Sequence, residues 1–125
     1  MHDQNTNSDS RQKKAVIIAS CLGWGSGIES AEEGPMNLLE AGLADRLQAE
    51  SIILKADPPI KNGRLSYEET ERCILEHATR VSNAVSNTIV EGKFPVVIGG
   101  DHTTAIGLYS GISRAAGQVG IVWID

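Results

Sequence analysis

Hydrophobic and polar positions along this chain fall into two alternating rhythms. Short unbroken apolar runs are separated by stretches with a helical repeat. Ala15-Val16-Ile17-Ile18-Ala19-Ser20 is the first such run and reads as a strand buried on both faces. A loop with Gly23, Gly25 and Gly27 comes next, and Pro35 then sits where a helix tolerates a missing N–H. Met36, Leu39, Leu43 and Leu47 recur at helical spacing, with Leu38 broadening the face, which predicts one helix. Ser51-Ile52-Ile53-Leu54 is a second short strand, closed by Asp57-Pro58-Pro59 because proline cannot continue a ladder. Ser66 and Glu69 form a Ser-x-x-Glu capping box at the front of a long helix. Its core face is Ile74, Ala78, Val81, Val85 and Ile89, and Gly92 is its stop. Val96-Val97-Ile98 makes a third strand. The spacing predicts a further helix over 103–116, weakened by Gly107 and Gly111 and ended by Gly117. Gly120-Ile121-Val122-Trp123-Ile124 reads as a fourth strand.

Strand and helix thus alternate as β-α-β-α-β-α-β, the pattern of an α/β fold with a parallel sheet and helices on its faces. Such sheets place ligands and reactive groups just past the carboxyl ends of their strands. Two strands here end that way. Phe94-Pro95-Val96-Val97-Ile98-Gly99-Gly100 delivers Asp101 and His102, and the 120–124 run delivers Asp125. Taken singly these residues have plainer explanations. A lone histidine at a strand end is more often hydrogen-bonded than a ligand, and Asp125 could cap the segment after its strand. Asp101 could cap the next helix, and an orienting or capping role suits it better than direct ligation. His2 falls in a polar tail and His77 on the capped helix, where neither needs a special role. The joint arrangement of His102 and Asp125 is the feature that points to a metal site built from strand ends.

Composition narrows the setting. A chain of 125 residues forms one domain at most, and one of that size buries about two thirds of its unfolded surface. The net charge of −5 gives no electrostatic footprint for nucleic acid, and no apolar run approaches the roughly 20 residues of a membrane span. Residues 1–13 are almost wholly polar, which predicts a disordered tail rather than a secretory signal, with one domain over 14–125. Cys21 and Cys73 lack metal-type spacing and read as buried free thiols of a cytoplasmic protein. An apolar strand is an odd terminus, so the chain is expected to be the front part of a longer protein.

One motif competes. Gly23-Trp24-Gly25-Ser26-Gly27 comes after the first strand as a nucleotide-binding loop would, with Asp57 in the place of a ribose-binding acid. The fingerprint, however, needs a third glycine running straight into a helix, so that phosphate meets the helix N-terminus. Ile28 holds that third position, and the nearest helix signal waits until Pro35. A loop that uses glycines for turns and close backbone approach explains the motif better, and a nucleotide-binding module remains the alternative from another class.

Gly99-Gly100-Asp101-His102-Thr103-Thr104-Ala105-Ile106-Gly107 resembles the first metal-binding signature of the ureohydrolases, the arginase and agmatinase superfamily. Val122-Trp123-Ile124-Asp125 resembles the start of the second, and Glu33-Gly34-Pro35 with Leu38-Leu39-Glu40-Ala41-Gly42-Leu43-Ala44-Asp45-Arg46-Leu47 resembles the arginase branch. The resemblance covers nearly everything from 16 to 125. It implies a three-layer αβα fold with a parallel sheet, of which this chain supplies the first four strands. It implies two Mn²⁺ ions, with His102 a terminal ligand of one, Asp125 bridging both, and Asp101 orienting the imidazole. The implied reaction is hydrolysis of the guanidinium group of L-arginine to L-ornithine and urea, with agmatinase or another amidino hydrolase as the alternative. The implied full-length protein is a trimer or hexamer. The second signature stops at its first residue here, so no catalytic residue is assigned, and the chain by itself is expected to lack activity.

Overall fold

The computed structural model describes residues 12–26, 30–58, 60–61 and 64–124. Most of the expected polar tail lies outside the described residues, as do Gly27, Ile28, Pro59 and Asp125. Strand β1 (Ala15–Cys21) leads to a 3₁₀ turn (Ala31–Glu33), helices α1 (Gly34–Glu40) and α2 (Leu43–Leu47), and strand β2 (Glu50–Lys55). A small antiparallel hairpin of β3 (Ile60–Lys61) and β4 (Arg64–Leu65) precedes the long helix α3 (Tyr67–Val90). Strand β5 (Phe94–Gly99) and helix α4 (Thr104–Ala116) complete the order.

The main sheet is parallel, in the order β2-β1-β5. Ile17 lies opposite Ser51 on one side and Val96 on the other. From β1 the chain moves one way to β2, then crosses back over β1 to β5. Right-handed crossovers in opposite directions put the connecting helices on opposite faces. Val16 and Ile18 accordingly meet Val81 and Val85 of α3, with Leu54, Ile89, Val97 and Leu108 packed around them. Alternation along the strand turns Ile17 and Ala19 to the other face, the one covered by α1. The result is the three-layer αβα arrangement.

Three expectations need correction. Residues 120–124 form no strand, so the sheet has three parallel strands among the described residues and not four. Val122 and Ile124 are 88% and 92% exposed, and an apolar segment with no neighbouring strand to pair with has nothing to fix it in a ladder. The helix expected from Pro35 to Leu47 is two helices, because Gly42 takes a left-handed conformation (φ 92°) that ends the first. Leu38 and Leu47 are exposed. Cys73 is only partly buried, with its thiol donating to the carbonyl of Asp57 at 3.2 Å, whereas Cys21 is buried; both are free.

Helix α4 runs unbroken through Gly107 and Gly111, despite the weakening expected of them. Both glycines are buried against α3. A β-carbon on Gly107 would lie 2.6 Å from the Ala78 carbonyl oxygen and 2.7 Å from the Val81 Cβ. One on Gly111 would meet the Ser82 carbonyl oxygen at 2.6 Å and the Val85 Cβ at 2.7 Å. Their bare surfaces let the two helices approach closely.

The same face of α3 buries His77 to 2% exposure. Desolvation depresses its pKa, Arg80 pushes the same way, and Asp101 opposes them weakly. The unfolded chain therefore takes up the proton before the folded one does. Stability held at neutral pH is lost as the pH falls below the ordinary imidazole value of about 6.5.

This packing has two measurable outcomes. Gly107→Ala should destabilise the fold by about 1–3 kcal/mol through overpacking, although helix propensity alone favours alanine by about 1 kcal/mol; a urea unfolding midpoint decides the sign. Urea midpoints should also rise between pH 5 and 7, and His77→Gln should flatten that rise. An unchanged slope in the variant would show that some other group sets it.

Candidate functional site

Strands β1 and β5 are neighbours, but the helices that come after them lie on opposite faces of the sheet. The junction between their exits is therefore the topological switch point, where open α/β sheets have their ligand crevice. The backbone keeps pairing past the strand ends. Gly100 N–H donates to the Ser20 carbonyl and Asp101 N–H to the Leu22 carbonyl, both at 3.0 Å. Gly100 is required there by close approach: a β-carbon would run into the Leu22 carbonyl and come within 2.8 Å of the Ala31 carbonyl oxygen.

Asp101 ties the two loops together. Its Oδ2 accepts the Gly25 N–H at 2.8 Å, across the crevice from the β1 exit. Its Oδ1 accepts the Thr103 N–H at 2.8 Å and also the Thr103 hydroxyl. The carboxylate is thus committed to holding the loop on both sides of His102. His102 itself is exposed. Its ring stacks on Trp123, with centroids 4.9 Å apart and planes inclined by 28°.

Beneath the loop lies a line of buried polar side chains. Ser20 Oγ is 2.9 Å from His77 Nε2 and 3.0 Å from Thr104 Oγ1. All three residues are buried, and among the described residues His77 Nδ1 has no hydrogen-bond partner. A cleft of about 410 Å³ opens beside the β1 and β2 exits, lined by Glu32, Glu33, Glu40, Met36 and Lys55 among others. A cleft of about 1050 Å³ lies at the opposite end of the strands, by Lys14, Glu50 and Phe94. Its position beneath the amino ends of the sheet keeps it apart from the crevice and from His102.

Of the residues expected at a metal site, the structure brings Asp101 and His102 together at the crevice. Asp125 lies outside the described residues. Among the described residues no three His, Cys, Asp or Glu side chains gather closely enough to hold a metal ion. An accessible imidazole on a pinned loop is a donor type that suits Mn²⁺, so His102 fits one corner of such a site and leaves the rest to other donors. The described part of the glycine loop, residues 22–26 and 30, is not helical, and the first α-helix starts only at Gly34. The sequence alone assigns His77 no role. Its position three residues after Ile74 and four before Val81 nevertheless puts it on the apolar face of α3.

Comparison with known proteins agrees with this layout. Residues 13–125 match the arginase family. The chain is 31% identical over 128 residues to an arginase of Staphylococcus aureus (strain MRSA252), covering 91% of this chain and 41% of that protein. It is 26% identical over 121 residues to an arginase of Bacillus caldovelox, covering 90% and 40%, and 28% identical over 116 residues to human Arginase-1, covering 87% and 36%. The chain therefore spans about two fifths of the length of the relatives it matches. A crystal structure of arginase from Bacillus subtilis superposes with a TM-score of 0.69 at 24% identity, over 82% of this chain and 34% of that one, and shows the same fold. No helix among the described residues is long and apolar enough to cross a membrane. With residues 13–125 matched by one family, the chain belongs to the arginase family.

Proposed function

We propose that this chain is the amino-terminal part of a manganese-dependent hydrolase that converts L-arginine to L-ornithine and urea. The observation that carries the reading is the placing of Gly-Gly-Asp-His at the crevice between β1 and β5, in a chain whose family match runs over 13–125. Names of relatives support arginine as the substrate, with agmatine or another amidino compound as the neighbouring alternative.

In this reading His102 and Asp125 hold the metal pair, together with donors supplied from beyond residue 125. When bound, two Mn²⁺ ions supply a hydroxide nucleophile near neutral pH, which a weakly electrophilic guanidinium carbon requires. The chain's own work is positional. Asp101 holds the loop at Gly25 on one side and Thr103 on the other, so the His102 backbone between them has little freedom. Glu32, Glu33 and Glu40, against Lys55, give the cleft beside the β1 and β2 exits an excess of acidic side chains suited to a cationic substrate.

A site with two of its donors binds metal weakly, because each ion needs several ligands in fixed geometry. The 125-residue chain alone should therefore release no urea above blank with added Mn²⁺. The full-length protein should do so, and His102→Ala in it should lower both bound manganese and kcat/KM by more than the roughly 10- to 100-fold that loss of an outer partner costs. Colorimetric urea release with metal analysis checks all of this. Unchanged manganese content and turnover in His102→Ala would end the reading.

A further inference from the structure

The loop carrying His102 is pinned from above by Asp101. A second hold comes from the core. Ser20 Oγ is hydrogen-bonded to His77 Nε2 at 2.9 Å and to Thr104 Oγ1 at 3.0 Å. The three side chains belong to β1, α3 and the first residue of α4. They are the point at which the central strand, the long helix and the loop-bearing helix are joined by polar contacts. Thr104 stands two residues after His102, and the Ala105 N–H donates back to the His102 carbonyl at 3.1 Å. A shift of Thr104 would therefore carry the His102 backbone with it.

We propose that His77 is a positioning residue for the His102 imidazole, acting through the Ser20 and Thr104 hydroxyls. The proposal rests on the reading of His102 as a metal ligand. Two features single out His77. It lies on the apolar face of α3 beside Ala78 and Val81, where an aliphatic side chain would pack without polar cost. Among the described residues the ring's Nδ1 is also buried without a partner. Leaving a buried polar atom unpaired lowers stability, so burial alone gives no reason for a histidine here.

The pairing also favours one tautomer of the ring. With the proton on Nε2, the orphaned Nδ1 is only a lone pair; with the proton on Nδ1, a buried N–H would be left without an acceptor, which is rarer in folded proteins. In the favoured tautomer Nε2–H donates to Ser20 Oγ, and the Ser20 O–H is free to donate to Thr104 Oγ1. A doubly protonated ring would add the same unmatched N–H and a charge facing Arg80, so the line is built for the neutral form.

The test compares His77→Leu with His77→Gln in the full-length protein. Glutamine can place an N–H where the imidazole Nε2–H lies; leucine cannot. Binding is read by electron paramagnetic resonance titration of free Mn²⁺, loop order by amide exchange of Thr104 and Ala105 in metal-free protein, and catalysis by kcat and KM separately. His77→Leu should weaken Mn²⁺ binding about 10- to 100-fold, speed exchange at Thr104 and Ala105, and lower kcat more than it raises KM. Exchange at Ile17 and Ile18 should not change. His77→Gln should recover both binding and exchange to within a few-fold. Leucine and glutamine variants that behave alike, or a leucine variant with wild-type binding and exchange, would overturn the proposal. If His77→Leu fails to fold, Thr104→Val cuts the same line at its other end, and wild-type binding and exchange in that variant would be equally fatal. A wild-type protein that binds no Mn²⁺ would instead defeat the ligand reading; the exchange measurement then still decides whether His77 holds the loop.

Discussion

The structure depends on one fully buried strand. From Val16 to Leu22 every residue of β1 and its exit is sealed from solvent, and among the described strands β1 alone has a partner on each side. Its two faces supply the core for both helical layers. Its carboxyl-terminal carbonyls, at Ser20 and Leu22, receive the backbone of the next strand's exit loop. Register matters as much as burial. Alternation puts Ser20 on the same face as Val16 and Ile18, towards α3. A slip of one residue would turn that hydroxyl away from His77 and Thr104.

Around this strand the chain is unevenly finished. The α3–α4 side is closely packed, helped by the two small residues of α4, and its polar groups are mostly paired inside the layer. Strand β2 has its side chains largely exposed, and Phe94, Val119 and residues 121–124 offer apolar surface. Ion pairs at the amino ends of the strands, Lys93 with Glu50 and Glu91, lie near the surface and add little. The chain spans about two fifths of the length of the relatives it matches.

Much of this was legible in the sequence, and for identifiable reasons. The β1 run contains nothing polar before Ser20, so its burial on both faces could be read directly. The core face of α3 came from helical spacing, and Ala78, Val81 and Val85 are buried as that spacing required. The Gly-Gly-Asp-His motif located the crevice because strand exits are where such folds keep their chemistry. Sequence reasoning failed where tertiary contacts outweigh local preference. Gly107 and Gly111 look like helix breakers, since propensity scales do not contain the neighbouring helix they accommodate. Gly42 sits inside a good heptad-like repeat, and one left-handed residue is enough to divide it. Residues 120–124 have strand composition without a strand's neighbours. His77 is on the right face to be seen, but its partner Ser20 is 57 positions away, and no local pattern reports such a pairing.

The outer side of β5 has a further consequence. Strand pairing uses only one side of it among the described residues, which leaves a row of amide and carbonyl groups facing outward next to Phe94. An open ladder flanked by oily side chains adheres to copies of itself. The chain handled alone will thus have a solubility ceiling set by collisions between molecules, so dilution, and not only temperature or pH, will govern how long a clear solution lasts.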